Sequence, residues 1–234
     1  MRVVSIVPSV TETLLAWGIT PVAVTRFCEQ GDAFPTVGGT KDPDIEKIAG
    51  FRPDLVVVCD QENRRPDADA LRERGLNIHV VTITDIAHVG PQMVALAKAL
   101  DLDPALGEAC APSARIPTAP KQRKRAYIPI WKRPWMTLNE QTYGTSLLAS
   151  IGIDTIATGD PDRYPEMDLN RAATHQTDLV IAPNEPYVFG ERHRAELETV
   201  APTIFVDGKD LFWWGVRTPG ALARLDAALH NHIE

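Results

Sequence analysis

The chain has 234 residues, of which 44% are hydrophobic and 24% are charged, and its formal net charge is −7. This composition is typical of a globular protein with one large or two small domains. The acidic balance argues against nucleic acid as the main partner, because phosphate binding requires a basic surface.

The first part of the chain alternates short β-branched runs with helical patterns. The runs lie near residues 3–7, 22–25, 55–58 and 78–83. Their continuous apolar character is expected of strands that are covered on both faces of a parallel sheet. Ser9 and Glu12 have the spacing of a capping box and predict a helix start. Further helices are predicted to begin near Asp44 and Pro66.

A long helical pattern follows from residue 86 to about 114, and Asp101 and Pro104 mark a candidate break within it. Strands are then predicted at 126–130, 155–158, 179–182 and 203–206, with a final helix over 219–232. Strands that alternate with helices predict an α/β fold.

An internal repeat indicates how the chain is divided into domains. The segment from Asp44 to Asp54 recurs, with the same length and a similar apolar pattern, from Asp168 to Asp178. The repeat predicts two similar lobes, and a cleft between lobes is a common place for a small ligand. We expect an N-terminal lobe over 1–85, a linking helix over 86–115 and a C-terminal lobe over 116–234.

The start of the sequence and its cysteines bear on the compartment. The first predicted strand begins near residue 3, which leaves no room for a secretory signal, and no segment predicts membrane insertion. Cys28, Cys59 and Cys110 are an odd number without framework spacing, which suits a reducing compartment. We therefore expect a cytoplasmic protein, unless a leader peptide has been removed.

Four segments carry a resemblance to a known family, at residues 3–14, 37–46, 47–58 and 207–215. They resemble the cobalamin-binding proteins of ABC importers and, more broadly, the helical-backbone substrate-binding proteins that carry siderophores, haem and metal ions. The resemblance spans the whole chain. It implies two three-layer α/β lobes with mainly parallel sheets, joined by one long rigid helix, with the ligand in the groove between them.

The resemblance also implies a partner. Its importer-linked members dock onto a membrane permease through a carboxylate on each lobe. At the first of these positions the sequence has Arg64 and Arg65, which reverse the sign of the charge. The ABC permease is therefore an open partner, whereas a small-molecule ligand is expected.

Candidate ligand contacts follow from the rule that ligands bind beyond the carboxyl ends of parallel strands. They are Phe27, Cys28, Thr40, Cys59, Gln61, Glu62, Trp131, Trp135, Asn184, Glu185, Trp213 and Trp214. Flat indole rings suit a broad, flat, apolar ligand such as a corrinoid or another macrocycle. The alternatives are that the aromatic rings belong to the core and that the polar residues lie in solvated loops.

Other chemistry is weakly indicated. Cys28 and Cys59 end predicted strands and can ligate a soft metal, but a free cysteine is more often buried, so we expect neither a metal site nor a resident cofactor. Ser9 either caps the first helix or presents free amides to a ligand carboxamide or phosphate. No nucleophile motif is present, which favours a protein that is not an enzyme.

The sequence thus predicts non-catalytic binding of a cobalamin-like corrinoid or another chelated-metal ligand in the cleft between the lobes. The protein then serves ABC import or the handling of its ligand inside the cell. Two alternatives stay open: a cytoplasmic enzyme built on the same scaffold, and an interaction module whose exposed tryptophans bind another protein.

Overall fold

The computed structural model describes residues 1–29, 33–112 and 123–229. Backbone contacts divide the chain into two compact units. Unit 1 comprises Met1–Ile83, Ala87–Ala111 and Trp214–Arg217, and unit 2 comprises Thr84–Ile86, Pro112–Trp213 and Thr218–Glu234. Each unit contains a four-stranded sheet in which every pair of neighbouring strands is parallel. The expected fold class, two α/β lobes with parallel sheets, is confirmed.

The sheet of unit 1 has the strand order β2-β1-β3-β4. Its strands are β1 (Val3–Ser5), β2 (Ala23–Val24), β3 (Leu55–Cys59) and β4 (Ile78–Val81). Its helices are α1 (Pro8–Ala16), α2 (Ile45–Gly50), α3 (Arg65–Glu73), α4 (Val89–Ala99) and α5 (Ala105–Glu108). Every residue of β1, β2 and β3 is buried, as expected for strands that helices cover on both faces.

The start of α1 differs from the sequence prediction. The helix begins at Pro8, Val7 is its N-cap, and no side chain caps it. Proline is favourable at this first helical position because its φ angle is already helical and its missing N–H would have no partner there. Ser9 therefore lies inside the helix, and Glu12 pairs with Arg217 at 2.6 and 3.0 Å. The predicted capping box is wrong.

The segment predicted as one long helix from 86 to 115 is interrupted. A 3-10 turn at Ile86–His88 leads into α4, and α4 ends before Asp101, whose φ of 56° lies in the left-handed region. The helical path resumes only at α5. A single continuous helix is therefore wrong, and the break falls at the predicted candidate position. Residues 113–115 lie outside the described part, and the role of this segment as a rigid connector stays a prediction.

The sheet of unit 2 repeats the order of the first, as β6-β5-β7-β8. Its strands are β5 (Lys124–Tyr127), β6 (Ile153–Thr155), β7 (Leu179–Pro183) and β8 (Thr203–Val206). Its helices are α6 (Tyr143–Ser150), α7 (Leu169–Ala173), α8 (Arg194–Leu197), α9 (Gly208–Phe212) and α10 (Thr218–Leu229). β6 lies earlier than the predicted run at 155–158, and the predicted end of the last helix at 232 lies outside the described residues.

The internal repeat has an atomic counterpart. The carboxylate of Asp54 accepts a hydrogen bond of 2.5 Å from the backbone N–H of Arg2, next to β1. At the equivalent place in unit 2, the carboxylate of Asp178 accepts one of 2.7 Å from the N–H of Arg125 in β5. The repeated aspartate therefore fixes the entry of the third strand of each sheet to the first, which explains why both copies retain it.

Both units have an apolar core that excludes solvent. Val4, Ile6, Val56 and Leu71 belong to the core of unit 1 and have no exposed surface. The core of unit 2 includes the fully buried Tyr127, whose hydroxyl donates to the carbonyl of Met167 at 2.7 Å. None of the helices in the described residues has the length and apolar character needed to cross a membrane.

Candidate ligand-binding surfaces

In unit 1, three loops at the carboxyl end of the sheet are tied together by Asn63. Its side-chain oxygen accepts from the backbone N–H of Cys59 at 2.8 Å. Its side-chain nitrogen donates to the carbonyl of Ile6 at 3.2 Å and to that of Thr40 at 2.9 Å. The loops after β1, β2 and β3 are thereby held in one arrangement. Asn63 is nearly inaccessible to solvent, so these bonds are shielded from competition by water.

Phe27 is the exposed aromatic residue of this edge, with 54% of its surface accessible. The guanidinium of Arg26 lies 4.9 Å from its ring centroid and is held by Asp42, with both carboxylate oxygens at 2.9 Å. The ring is therefore supported on one side by a paired cation. Its exposure leaves Phe27 available to an apolar ligand.

The two cysteines of the candidate set are buried. The thiol of Cys28 lies 3.2 Å from the hydroxyl of Thr11 and 3.4 Å from that of Thr25. Cys59 has no exposed surface, and burial, followed by the charge of Glu62, raises the pKa of its thiol to about 12. Both thiols are held within the protein as small buried groups, in line with the usual behaviour of free cysteine.

The remaining candidates of unit 1 lie in the same loops. Thr40 contributes its carbonyl to Asn63 and is half-buried. Gln61 and Glu62 are half-buried, and Lys41 donates to the carbonyl of Gln61 at 3.3 Å. The structure therefore brings the predicted loops of unit 1 together and leaves Gln61 and Glu62 partly accessible beside them.

In unit 2, the loops after β5 and β7 form an aromatic cluster of Trp131, Trp135, Tyr187, Phe189 and His193. Trp131 and Tyr187 meet edge to face with ring centroids 5.8 Å apart. Tyr187 in turn lies 4.7 Å from Phe189. Trp131 is 44% exposed, and the adjacent Val188 is also exposed. The outer part of the cluster is therefore an accessible apolar surface with fixed ring orientations.

Trp135 belongs to the inner part of the same cluster. Its ring is stacked on Phe189, with centroids 5.8 Å apart and an interplanar angle of 11°. The ammonium of Lys132 lies 5.3 Å from the Trp135 ring centroid and forms an ion pair with Glu196. Trp135 is half-buried and packs against the core of unit 2. It supports the exposed rings more than it presents a face of its own.

His193 is the fifth member of the aromatic cluster. Its ring lies 5.6 Å from Tyr187 and 5.4 Å from Phe189, in both cases edge to face. Its Nδ1 accepts from the backbone N–H of Gly190 at 3.3 Å, which fixes the ring. Burial, with the nearby charges of Arg192 and Lys132, lowers the pKa of His193. His193 could not be assigned a role from the sequence, because nothing in its spacing linked it to the tryptophans.

Asn184 and Glu185 follow β7 and approach the start of α9. The side-chain oxygen of Asn184 accepts from the N–H of Gly208 at 2.7 Å. A Cβ atom at Gly208 would collide with the side chain and backbone of Glu185, so only glycine allows this approach. Asn184 therefore has a structural bond through its side-chain oxygen, and the residue as a whole is exposed.

The last two candidate tryptophans have different environments. Trp213 is half-buried in unit 2, with the ammonium of Lys209 5.5 Å from its ring centroid. Trp214 belongs to unit 1 and is only 3% exposed. The indole of Trp214 is thus covered, whereas that of Trp131 is open, although both residues were predicted to lie in loops.

The described residues contain no group of three or more His, Cys, Asp or Glu side chains arranged to hold a metal ion. The expectation that no cofactor is resident stays a prediction. The surfaces that the two units offer are therefore apolar and polar contacts for a ligand. Within the part of the chain that the structure describes, they include no set of side chains arranged to coordinate a metal.

The sequence matches the family described as periplasmic binding protein over residues 3–197. The chain belongs to this family.

Several relatives are described by their names as binding vitamin B12 or heme. The vitamin B12-binding protein of Salmonella typhimurium is 24% identical over 193 residues, which cover 77% of this chain and 72% of the relative. Among solved structures, the periplasmic vitamin B12 binding protein of Vibrio cholerae superposes with a TM-score of 0.77 at 18% identity, covering 99% of this chain and 97% of the other. A periplasmic heme binding protein from Pseudomonas aeruginosa gives 0.81 at 20% identity, with 100% and 94% covered.

Family membership corrects the expected compartment and bears on the alternative of an enzyme. The cytoplasmic assignment is wrong: the matched family is one of periplasmic binding proteins, and the structural relatives are described as periplasmic. The first predicted strand and the cysteine count were poor guides to the compartment. The relatives are binding proteins, and none of these matches supports the alternative of a cytoplasmic enzyme.

Proposed function

We propose that this protein is an extracytoplasmic receptor that binds a flat metal macrocycle, of the corrinoid or haem type, against the exposed aromatic surface of unit 2. The observation that carries the proposal is the edge-to-face pair of Trp131 and Tyr187. The ring of Trp131 is open to solvent, and Tyr187 holds it in a fixed orientation. The names of the relatives, which bind vitamin B12 or heme, agree with this ligand class.

The physical reason is the match between a broad apolar disc and a rigid aromatic wall. Burying apolar surface is worth roughly 25 cal/mol per Å², and aromatic side chains bury large areas in specific stacked or edge-on geometries. Trp135 and Phe189 stack on one another behind the exposed rings, and His193 packs edge to face against Phe189. A preformed wall of this kind binds with little loss of conformational entropy.

Unit 1, taken by itself, offers a smaller apolar contact through Phe27. The ring is exposed and is backed by Arg26, which Asp42 holds in place. The half-buried Gln61 and Glu62 offer polar groups to the amide groups of a ligand. We propose Phe27, Gln61 and Glu62 as the ligand contacts of unit 1, and the buried Cys28, Cys59 and Trp214 as supports of their loops.

Delivery to an ABC permease is the second part of the proposal. Arg64 is the N-cap of α3 and Arg65 is its first residue, and the side chain of Arg65 is 93% exposed. Arg64 is paired with Asp67 at 2.8 Å, and Arg65 with Asp69 at 3.8 Å. A permease that docks on this face therefore meets two arginines that are each paired with an aspartate of α3.

Tryptophan fluorescence tests the ligand class. Titration with cyanocobalamin, haem and a ferric siderophore should give saturable quenching by at least one macrocycle. Replacing Trp131 by alanine should then weaken binding by a factor of about 10 to 100, as for a central aromatic contact. Trp17→Phe is the matched control, because Trp17 ends α1 in unit 1 and lies outside the aromatic cluster. Quenching that is equal in the Trp131→Ala and Trp17→Phe proteins would contradict the proposal.

A further inference from the structure

The first turn of α1 has a group of hydrogen-bond donors without acceptors. The helix begins beyond β1, at the edge of the sheet where ligands bind in parallel α/β folds. Val7 is the N-cap and Pro8 has no N–H, so the first free donors are the backbone amides of Ser9 and Val10. Neither amide has an acceptor among the residues that the structure describes.

The hydroxyl of Ser9 adds a third group to the same place. Ser9 is only 2% exposed, and its Oγ is buried without a hydrogen-bond partner in the described part of the chain. The other hydroxyls of this helix are satisfied: Thr11 donates to Ser5 at 2.9 Å, and Thr13 donates to the carbonyl of Ser9 at 2.9 Å. Ser9 is therefore the exception in its helix.

Such an arrangement is unfavourable unless something binds there. A buried polar group without a partner costs free energy, and native proteins usually satisfy such groups. A helix N-terminus also carries a partial positive charge, which favours an anion. Glu12 is the carboxylate residue of α1, and it is paired with Arg217. Its charge therefore does not offset the partial positive charge at the N-terminus of the helix.

The geometry points to an oxyanion site at the start of α1, formed by the Ser9 hydroxyl and the amides of Ser9 and Val10. It would take a carboxylate or phosphate group.

Amide chemical shifts test the site without any macrocycle. In ¹⁵N-labelled protein, titration with acetate and with inorganic phosphate should shift the amide signals of Ser9 and Val10 saturably. Response to acetate alone identifies a carboxylate site, and response to phosphate alone identifies a phosphate site. If neither ion moves the two signals, the donors hold water only and the inference is overturned.

Ser9→Ala supplies the matched change. It should weaken binding of the effective ion at least about fivefold, because a charge-assisted hydrogen bond is lost. In the absence of anion it should raise the melting temperature, because it removes a buried hydroxyl that has no partner. Ser150→Ala is the control, since that hydroxyl is bonded to the carbonyl of Leu147 in unit 2. A lower melting temperature for Ser9→Ala, with unchanged ion binding, would overturn the inference.

Discussion

The side-chain nitrogen of Asn63 lies 2.9 Å from the carbonyl oxygen of Thr40, and this contact joins two loops that leave different strands of unit 1. The same side chain also bonds to Ile6 and Cys59. One nearly buried amide therefore organises the edge of the sheet at which the candidate residues of unit 1 gather.

Replacing Asn63 by alanine should lower the free energy of unfolding by about 2 to 4 kcal/mol, because three bonds are lost and buried backbone groups lose their partners. Asn77→Ala is the control: Asn77 is exposed and makes a single side-chain bond, to Asp54, so the change should stay within about 0.5 kcal/mol. Urea unfolding measures both. Equal effects of the two substitutions would show that the Asn63 bonds are not stabilising.

Substitution of the two tryptophans of the aromatic cluster should lower stability to different extents. Trp135→Ala removes a ring that is stacked on Phe189 and packed on the core, and it should cost about 2 to 4 kcal/mol of stability. Trp131→Ala removes a ring that is 44% exposed and should cost less than about 1 kcal/mol. Thermal unfolding of both variants checks the difference, and a larger loss for Trp131→Ala would contradict it.

Acidification should weaken the folded state through His193. Burial and the charges of Arg192 and Lys132 lower its pKa below the ordinary value of 6.5. The contribution to stability is therefore complete above pH 6.5 and is lost as the pH falls below it, because the unfolded chain takes up a proton that folded His193 does not. His193→Gln should flatten the fall in unfolding free energy between about pH 7.5 and 5.5. Part of the slope should remain, because burial also lowers the pKa of His79. An unchanged slope would show that His193 does not titrate in this range.

The thiol of Cys59 should be unreactive in the native protein. Burial raises its pKa to about 12 and that of Cys110 to about 11, so almost no thiolate is present at neutral pH. Treatment with a thiol reagent near pH 8, followed by peptide mass spectrometry, should find both residues unmodified until urea is added. Rapid native labelling of Cys59 would show that the loop after β3 opens readily.

Gly107 should tolerate no side chain, because α5 packs closely against α4. A Cβ atom at Gly107 would collide with the backbone of Met93 and Val94. Gly107→Ala should destabilise the protein by about 1 to 3 kcal/mol, as in other overpacked sites. Gly50→Ala is the control, since nothing lies within 4 Å of its added Cβ and alanine is the better helix former. Chemical unfolding that ranks the two variants in the opposite order would contradict this account.

The fold was largely predictable because its signals are local and repeated. The apolar runs marked most of the strands, and the recurrence of Asp44 to Asp54 at Asp168 to Asp178 predicted two similar sheets. The start of α1 was missed because Pro8 outweighed the capping pattern that begins at Ser9. β6 was placed too late because Ile153 and Asp154 resemble the end of the preceding turn more than a strand.

The candidate surfaces were harder to predict, because exposure depends on contacts between distant residues. Trp131 and Trp214 were both predicted to lie in loops, yet one is open and the other is covered. The bonds of Asn63 to Ile6 and Thr40 join residues far apart in the chain, and no spacing in the sequence predicts them. His193 was missed for the same reason, since its aromatic neighbours Tyr187 and Phe189 fix it only after folding.

The late segment Trp214–Arg217 has a consequence for biosynthesis. It belongs to unit 1, where Val216 donates to Thr13 at 3.3 Å and Arg217 pairs with Glu12. While the ribosome is still making residues 112–213 of unit 2, the nascent first unit lacks these contacts. The order of translation thus delays completion of unit 1 until residue 217 has been made.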